Sequence, residues 1–405
     1  MSTIVFEREG IVGIVLYLCG KIFTIDMKKI RNSFGTLLLA GLMLVSAQVE
    51  AKERKTLREW GFPVGIFATG KNNAITDVAG VTVGQVTCIE GDSVRTGVTA
   101  IVPHQDNIFR NKIPAAIYVG NGFGKLAGYT QVEELGNIET PVVLTNTLSV
   151  AAGIEGLVRY TLSQPGNEGV RSVNAVVGET NDGKLNKIQG MRVTPEMVME
   201  AIGKAKGGVV EQGNVGAGTG TICFGFKGGI GTASRVLPES LGGYTIDVLV
   251  QSNYGGVLEI DGVQVGRKLC KYDFRKHVEK TENVDGSCMM VVVTDAPLDS
   301  RNLKRVAKRA MLGLAKTGGI ASNGSGDYVI AMSVAKENLV KPGKKIQSMD
   351  VLDNGEMSSI FCATIEATAE ALWNSMFMAE TMKGYKGSEV DALPVEKVVE
   401  LLKNR

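Results

Sequence analysis

Short runs of apolar, β-branched residues punctuate the chain, and between them the pattern shifts to helical spacing. Residues 81–87 (VTVGQVT), 115–119 (AAIYV), 141–145 (PVVLT) and 174–177 (NAVV) are predicted as buried strands, since such runs suit a pleated, packed surface. At 194–206 (TPEMVMEAIGKAK) the spacing becomes helical, with Thr194 as N-cap and Pro195 at the first helical position. The second half repeats the theme, with strands predicted at 244–250, 289–294 and 328–333. Between them, residues 299–316 place Leu303, Val306, Ala307, Ala310, Met311 and Leu314 on one helical stripe. Residues 361–380 carry Phe361, Ile365, Ala369, Leu372 and Met376 at the same spacing and predict a second long helix. Strands and helices thus interleave without a repeat period, as in a layered α/β or α+β domain.

One stretch breaks this texture. Residues 267–285 (RKLCKYDFRKHVEKTENVD) hold ten Asp, Glu, Lys or Arg among nineteen and predict an exposed connection. Gly286 then leads directly into Ser287 and the apolar run Cys288, Met289, Met290, Val291, Val292, Val293, which reads as a central strand. A charged connector therefore meets a core strand at Ser287.

The beginning of the chain reads differently again. From Met27, the basic Lys28, Lys29 and Arg31 precede nine apolar residues, 37–45 (LLLAGLMLV), and a small residue, Ala51, precedes the polar 52–55 (KERK). That order is the pattern of a signal peptide, and the apolar stretch is about half the length of a membrane span. Residues 27–51 are therefore expected to be a signal peptide cut after Ala51, and residues 1–26 a spurious extension ahead of the true start at Met27. The mature chain, 52–405, is expected in the periplasm or secreted, with no stable membrane anchor.

Composition narrows the chemistry. The chain has 405 residues, 44% of them apolar, enough for a single large core or two ordinary ones. Forty-four basic against 42 acidic residues leave +2 without a long run of one sign, which excludes nucleic acid as an expected partner. Six cysteines at 19, 88, 223, 270, 288 and 362 have no metal or redox spacing, and Cys223 and Cys288 fall in apolar runs as small core residues. Glycine is abundant, at 51 residues. Its densest cluster, 213–221 (GNVGAGTGT), matches neither nucleotide-loop template and reads as a substrate-lining or structural turn.

There are only two histidines, His104 in a polar turn and His277 in the charged connector, and neither has the packed setting that a triad imidazole needs. With no HExxH and no CxxC, a zinc hydrolase is not expected either, and no metal or cofactor is called for. A hydrolase without histidine or metal needs another base, and an α-amino group titrating near 7.7–8.0 is suited to that work. An N-terminal serine supplies nucleophile and base together, provided the chain is first cut before it. Gly286 before Ser287 leaves such an attack unobstructed and tolerates strain. Local pattern alone leaves this beside the simpler reading of Gly-Ser as a turn before a strand.

Several blocks, in order along nearly the whole mature chain, resemble the self-processing serine aminopeptidases that include the L-aminopeptidase/D-amidase-esterase and the β-peptidyl aminopeptidases. They are 121–125 (NGFGK), 144–147 (LTNT), 178–183 (GETNDG), 213–235, 250–255 (VQSNYG), Gly286-Ser287 with 294–298 (TDAPL), and 322–327 (SNGSGD). The resemblance implies a four-layer α/β/β/α sandwich of the α+β class, like the N-terminal nucleophile hydrolases but with its own connectivity. It implies self-cleavage into an α chain, 52–286, and a β chain, 287–405, and assembly of the processed subunits into a homo-oligomer.

Carried over residue by residue, the resemblance makes Ser287 the nucleophile, with its freed amino group helped by Ser325 and Asp327. Asn253 corresponds to the oxyanion-hole side chain, and Glu179 to the carboxylate that holds the free amino group of a peptide or amino-acid amide substrate. Asn181 stands where amidase-type members carry a tyrosine implicated in the oxyanion site, so the resemblance does not extend to D-amidase-like specificity. Asp327 takes a place that is Glu in some β-peptide-cleaving relatives. The implied activity is an exported serine aminopeptidase or amidase working through an acyl-enzyme without cofactor. Two alternatives stay open: an acyltransferase like the related ornithine acetyltransferases, which use Thr, and an uncut, non-catalytic binding protein.

Overall fold

The computed structural model describes residues 2–8, 11–18, 21–26, 54–279 and 286–404, and the chain divides into two units, one before residue 54 and one from it onward. The predicted signal peptide, 27–51, lies outside the described residues. The first unit holds an antiparallel meander of β1 (Ser2–Arg8), β2 (Ile11–Leu18) and β3 (Lys21–Asp26), with Ser2 opposite Tyr17 and Leu18 opposite Lys21.

The second unit is built on two sheets. Its strands begin with β4 (Thr82–Glu90), β5 (Val94–Val102), β6 (Ile113–Gly122), the short β7 (Asn137–Ile138), β8 (Val142–Asn146) and β9 (Val176–Thr180). A small hairpin follows, β10 (Ile222–Cys223) and β11 (Phe226–Lys227). Next come β12 (Gly229–Val236), β13 (Thr245–Asn253), β14 (Ser287–Thr294) and β15 (Gly326–Ser333). A second small hairpin, β16 (Met382–Lys383) and β17 (Glu389–Val390), ends the series. One sheet runs β4-β5-β8-β9 and the other β12-β13-β14-β15-β6-β7.

The described helices, in chain order, are α1 (Tyr129–Leu135), α2 (Val150–Ser163), α3 (Pro195–Gly203), the short α4 (Val265–Lys268) and α5 (Arg275–Glu279), α6 (Ser300–Lys316), α7 (Met357–Phe377) and α8 (Val395–Lys403). Helices α6 and α7 cover the six-stranded sheet, and α2 and α3 cover the four-stranded one. The strand β14 shows how the layers are made. Met290 and Val292 enter the core shared with α6 and α7, while Met289, Val291 and Val293 enter the core between the sheets. A strand alternates its side chains, so one apolar run feeds both cores and the α/β/β/α sandwich results.

Most predicted elements are found close to their expected bounds. Thr194 caps α3, its hydroxyl accepting from the N–H of Met197, and Asp299 caps α6 by accepting from the N–H of Asn302. Cys223 and Cys288 are fully buried and free. The 213–221 glycine cluster is a structural turn, with Gly216–Gly218 buried in a 3₁₀ turn. Two expectations need correction. The connector 267–285 is not simply a loop, because α4 ends in it and α5 forms within it, and residues 280–285 lie outside the described residues. Helix α7 has no single apolar stripe: it is buried on nearly every face, while Phe361 and Ile365 of the expected stripe are only partly covered.

The reason lies in what surrounds α7. The sheet and α6 pack on it, and residues 57–67 lie across it, with the Leu57 N–H donating to Asn374 Oδ1. Two of its buried residues are charged. Arg235, fully buried on β12, donates to Glu366 Oε2 at 3.1 Å and Glu370 Oε2 at 2.6 Å, and Arg58 adds a second ion pair to Glu370 at 2.9 Å. Buried ions remain tolerable only while each is matched, and removing one partner costs about 3–5 kcal/mol. We therefore expect Glu370→Ala, which strips one carboxylate from two arginines, to lower unfolding stability by about 3 kcal/mol or more. Chemical denaturation of the full chain measures this as a lower midpoint.

Candidate active site

Strand polarity gathers the site. β14 is antiparallel to β13, so its first residue, Ser287, lies opposite the last residue of β13, Asn253. It is parallel to β15, so Cys288 lies beside Asp327 near the start of that strand. β15 is in turn antiparallel to β6, which brings Asn121 opposite Asp327. In the facing sheet β8 and β9 run parallel, and their C-terminal ends present Thr147, just beyond β8, and Glu179. Six elements thus deliver polar residues to one end of the sandwich.

At that end lies a cavity of about 870 Å³. Ser287, Gly286, Asn253, Glu179 and Asn181 all line it, together with Thr147, Lys125 and Ile222. Lys271, Tyr272 and Arg275, from the charged connector, form another part of its wall. Neither histidine lines it: His104 contacts the Asn111 carbonyl at 2.8 Å through Nε2, and His277 is exposed on α5.

The contacts of each side chain set its chemistry. Ser287 is 6% exposed, and its Oγ accepts from the Gly326 N–H at 3.1 Å. Asn253 Oδ1 accepts from the Ile222 N–H at 2.8 Å, which fixes the amide orientation and leaves the Nδ2 donors for other partners. Ser325 and Asp327 stand behind the cavity, with the Ser325 hydroxyl donating to Asp327 Oδ1 at 2.8 Å. They flank Gly326, whose N–H holds Ser287, so the three β15 residues and the serine form one unit. Asn121 Nδ2 donates to the carbonyls of Ser325 and, at 3.0 Å, Ser322, tying this turn to the end of β6.

Two carboxylates here are costly to ionise. Glu179 is 3% exposed, and burial raises its pKa, with the Thr147 hydroxyl and the Lys125 N–H opposing the rise through Oε2 and Oε1. The Lys125 N–H lies 2.9 Å from Oε1. For Asp327, burial raises the pKa to about 6 despite the Ser325 and Cys288 donors, and its Oδ2 has no partner. Buried carboxylates with spare acceptor capacity are poised to take a cation or a proton. Asn181 is different: it is exposed at the cavity rim, and its Oδ1 accepts from the Gly183 N–H at 2.9 Å in a local turn.

Sequence reasoning missed Thr147, Lys125, Ile222 and the Gly326 N–H as contacts of the site. Thr147 and Lys125 do fall inside the resembling blocks, and polar residues just past apolar strands were a usable signal. The backbone donors of Ile222 and Gly326 carry no side-chain signature at all.

Two sheets packed against each other and each covered by helices give a sandwich of the Ntn hydrolase type. Solved structures agree. The PH0078 protein of Pyrococcus horikoshii OT3 superimposes with a TM-score of 0.80 at 44% identity, over 86% of this chain and 99% of that one. The L-aminopeptidase D-Ala-esterase/amidase of Ochrobactrum anthropi, described as a prototype serine aminopeptidase with a variant Ntn hydrolase fold, does so at 0.79 and 34%, over 86% and 98%. A β-peptidyl aminopeptidase, BapA, of Sphingosinicella microcystinivorans is 38% identical over 393 residues, 90% of this chain and 96% of the relative. The chain belongs to peptidase family S58, whose profile matches residues 73–390, and it is a serine aminopeptidase.

The electrostatics of Asp327 yield a stability prediction. Its folded pKa of about 6 lies above the usual 3.8, so the folded state binds the proton more tightly than the unfolded one. Stability from this group is therefore present below about pH 4 and lost as pH rises to about 6. Asp327→Asn, which does not titrate, should stabilise the intact chain at pH 7 by up to about 3 kcal/mol. Melting curves recorded in a Ser287→Ala background, with and without Asp327→Asn so that both chains are uncut, should converge near pH 4 and separate towards pH 7.

Proposed function

We propose that this chain is exported, cuts its own Gly286-Ser287 bond, and then releases N-terminal residues from peptides, amino-acid amides or esters through an acyl-enzyme on Ser287. The observation that carries the reading is the setting of Ser287, a buried hydroxyl at a strand head with a cavity, amide donors and a carboxylate around it and no histidine lining that cavity. In the cut, Ser287 Oγ attacks the Gly286 carbonyl, the C–N bond breaks, and Gly286 becomes an ester on Oγ as Ser287 gains a free amine. Water then hydrolyses the ester, leaving a carboxylate on Gly286.

In turnover the substrate ammonium pairs with Glu179, which places the scissile carbonyl at Ser287. Oγ attacks while its proton passes to the Ser287 amine, which Ser325 and Asp327 hold. Asn253 Nδ2–H stabilises the oxyanion, and the ammonium returns the proton to the leaving amine. Water, activated by the same amine, frees the acyl group. The requirement for an unblocked amine follows from Glu179, because a buried carboxylate without its cation is costly. Glu179 and Ser287 line one cavity, which supports this pairing. The BapA relative is the reason to include β-amino acids among the candidate substrates. Residues 27–51 support export, and the resemblance to self-processing aminopeptidases supports a homo-oligomer of processed subunits.

Gly286 gives the sharpest test of the cut. A Cβ there would meet Tyr254 Cα at 2.2 Å and the Asn253 carbonyl oxygen at 2.6 Å, both of them backbone atoms that cannot step aside. Wild type should run as two chains on a denaturing gel, with N-terminal sequences beginning at Lys52 and Ser287. Ser287→Ala should remain single and inactive, and Gly286→Ala should accumulate uncut chain. An intact wild-type chain would end the self-cleavage reading.

Glu179→Gln keeps the shape and removes the charge. Losing a charge-assisted hydrogen bond of about 1.5–3 kcal/mol should lower kcat/KM roughly 10- to 100-fold on free aminoacyl p-nitroanilides. N-acetylated analogues should be poor substrates for wild type. Equal hydrolysis of blocked and free alanyl, β-alanyl and D-alanyl substrates would remove Glu179 from this role.

A further inference from the structure

The β10-β11 hairpin buries a charge that the reaction outlined above does not use. Its central residues, Phe224 and Gly225, take left-handed φ values of 52° and 74°, the signature of a two-residue hairpin turn, and Ile222 is thereby paired directly with Lys227. Lys227 is fully buried. Its Nζ donates to the carbonyls of Gly218 and Thr221 at 2.9 Å and of Gly228 at 2.8 Å. Three neutral carbonyls are an expensive seat for an ammonium, and burial pulls its pKa down to about 7 against the opposing field of Asp182.

The second of those carbonyls leads to the active site. The Thr221 C=O and the Ile222 N–H belong to one peptide group, and that N–H is the donor that holds Asn253 Oδ1 at 2.8 Å. The chain of donors therefore runs from Lys227 Nζ through the 221–222 peptide to the Asn253 amide, every link in the same sense. We infer that Lys227 is a positioning residue of the oxyanion site: its ammonium polarises the 221–222 peptide, which polarises the Asn253 amide and makes Nδ2–H a stronger donor to the tetrahedral oxyanion. The inference rests on the role given to Asn253 above.

Hydrogen-bonded chains strengthen one another by roughly 10–30% per bond, and a charge at the head acts on every link. The same ammonium also fixes the plane of the 221–222 peptide, and with it the direction in which Asn253 points. A lysine that merely stapled the glycine turn would act on folding alone. A relay acts on kcat and needs Asn253 to do so.

The test compares full-length wild type, Lys227→Gln, Lys227→Met, Asn253→Ala and the Lys227→Gln/Asn253→Ala double variant on the best p-nitroanilide substrate, with rates expressed per cut chain. Lys227→Gln keeps amide donors for the carbonyls but removes the charge. It should lower kcat about tenfold with KM within about threefold, against about 10²–10³ for Asn253→Ala. The double variant should be no slower than Asn253→Ala alone. If the Gln variant does not fold, Lys227→Met carries the same expectation at a lower melting temperature. If Asn253→Ala keeps its kcat, the oxyanion assignment fails and the relay with it. If Asn253→Ala is crippled while a folded Lys227 variant keeps kcat within twofold, or if the two losses multiply, the relay is overturned and the assignment of Asn253 stands.

Discussion

Strand β14 is buried along all eight residues, Ser287–Thr294, and paired on both edges, antiparallel to β13 and parallel to β15. Its two faces feed different cores, so a slip of one residue would send Met289, Val291 and Val293 toward the helices and Met290 and Val292 between the sheets. The register is therefore held by most of the hydrophobic interior. Ser287 inherits that rigidity, and so do Asn253, paired with it across β13, and Asp327, paired with the next residue, Cys288, across β15. The candidate site, whose proposed reaction depends on sub-ångström placement, thus sits on strand ends rather than on loops.

The interior also separates two ways of burying charge. Around α7, Arg58, Arg235, Glu366 and Glu370 form ion pairs and satisfy one another, and they tie β12, α7 and the segment after residue 54 into one core. At the active-site end the pattern reverses. Glu179, Asp327, Asp182 and Lys227 are buried and take neutral hydrogen-bond partners, and burial pushes the three carboxyls up and the ammonium down. Asp182, for example, is held by Asn186 at 2.9 Å and rises to about 6. Matched charges stabilise a fold, whereas unmatched ones keep their capacity to bind a cation or exchange a proton.

Much of this was readable along the chain. Apolar β-branched runs located β8, β9, β13, β14 and β15 to within a few residues, since a strand buried on both faces has a local signature. Caps located the starts of α3 and α6. The scarcity of histidine and the block resemblance pointed to Ser287, Asn253, Glu179, Ser325 and Asp327, and the fold brings all five to one end of the sandwich. The helices of the connector were not legible, because elements of four or five residues have too few positions to show a period. Helix α7 was misread as having one apolar face because the layers that bury its other faces come from residues 57–67 and from β12, far away in sequence.

What the sequence by itself determined is most of the longer strands and helices, which depend on neighbours within a few positions, and, through blocks that resemble a known family along nearly the whole mature chain, the class of the sandwich and the candidate nucleophile. Tertiary structure decided which partners those groups meet. Asp327 acquires its raised pKa from burial, Asn253 its orientation from the N–H of Ile222, and Lys227 its link to Asn253 from a hairpin that pairs it with that same residue. Asn181, conspicuous in the sequence as a departure, bonds only locally at the rim. Desolvation and backbone donors belong to the assembled fold, and a side-chain alphabet does not encode them at any single position.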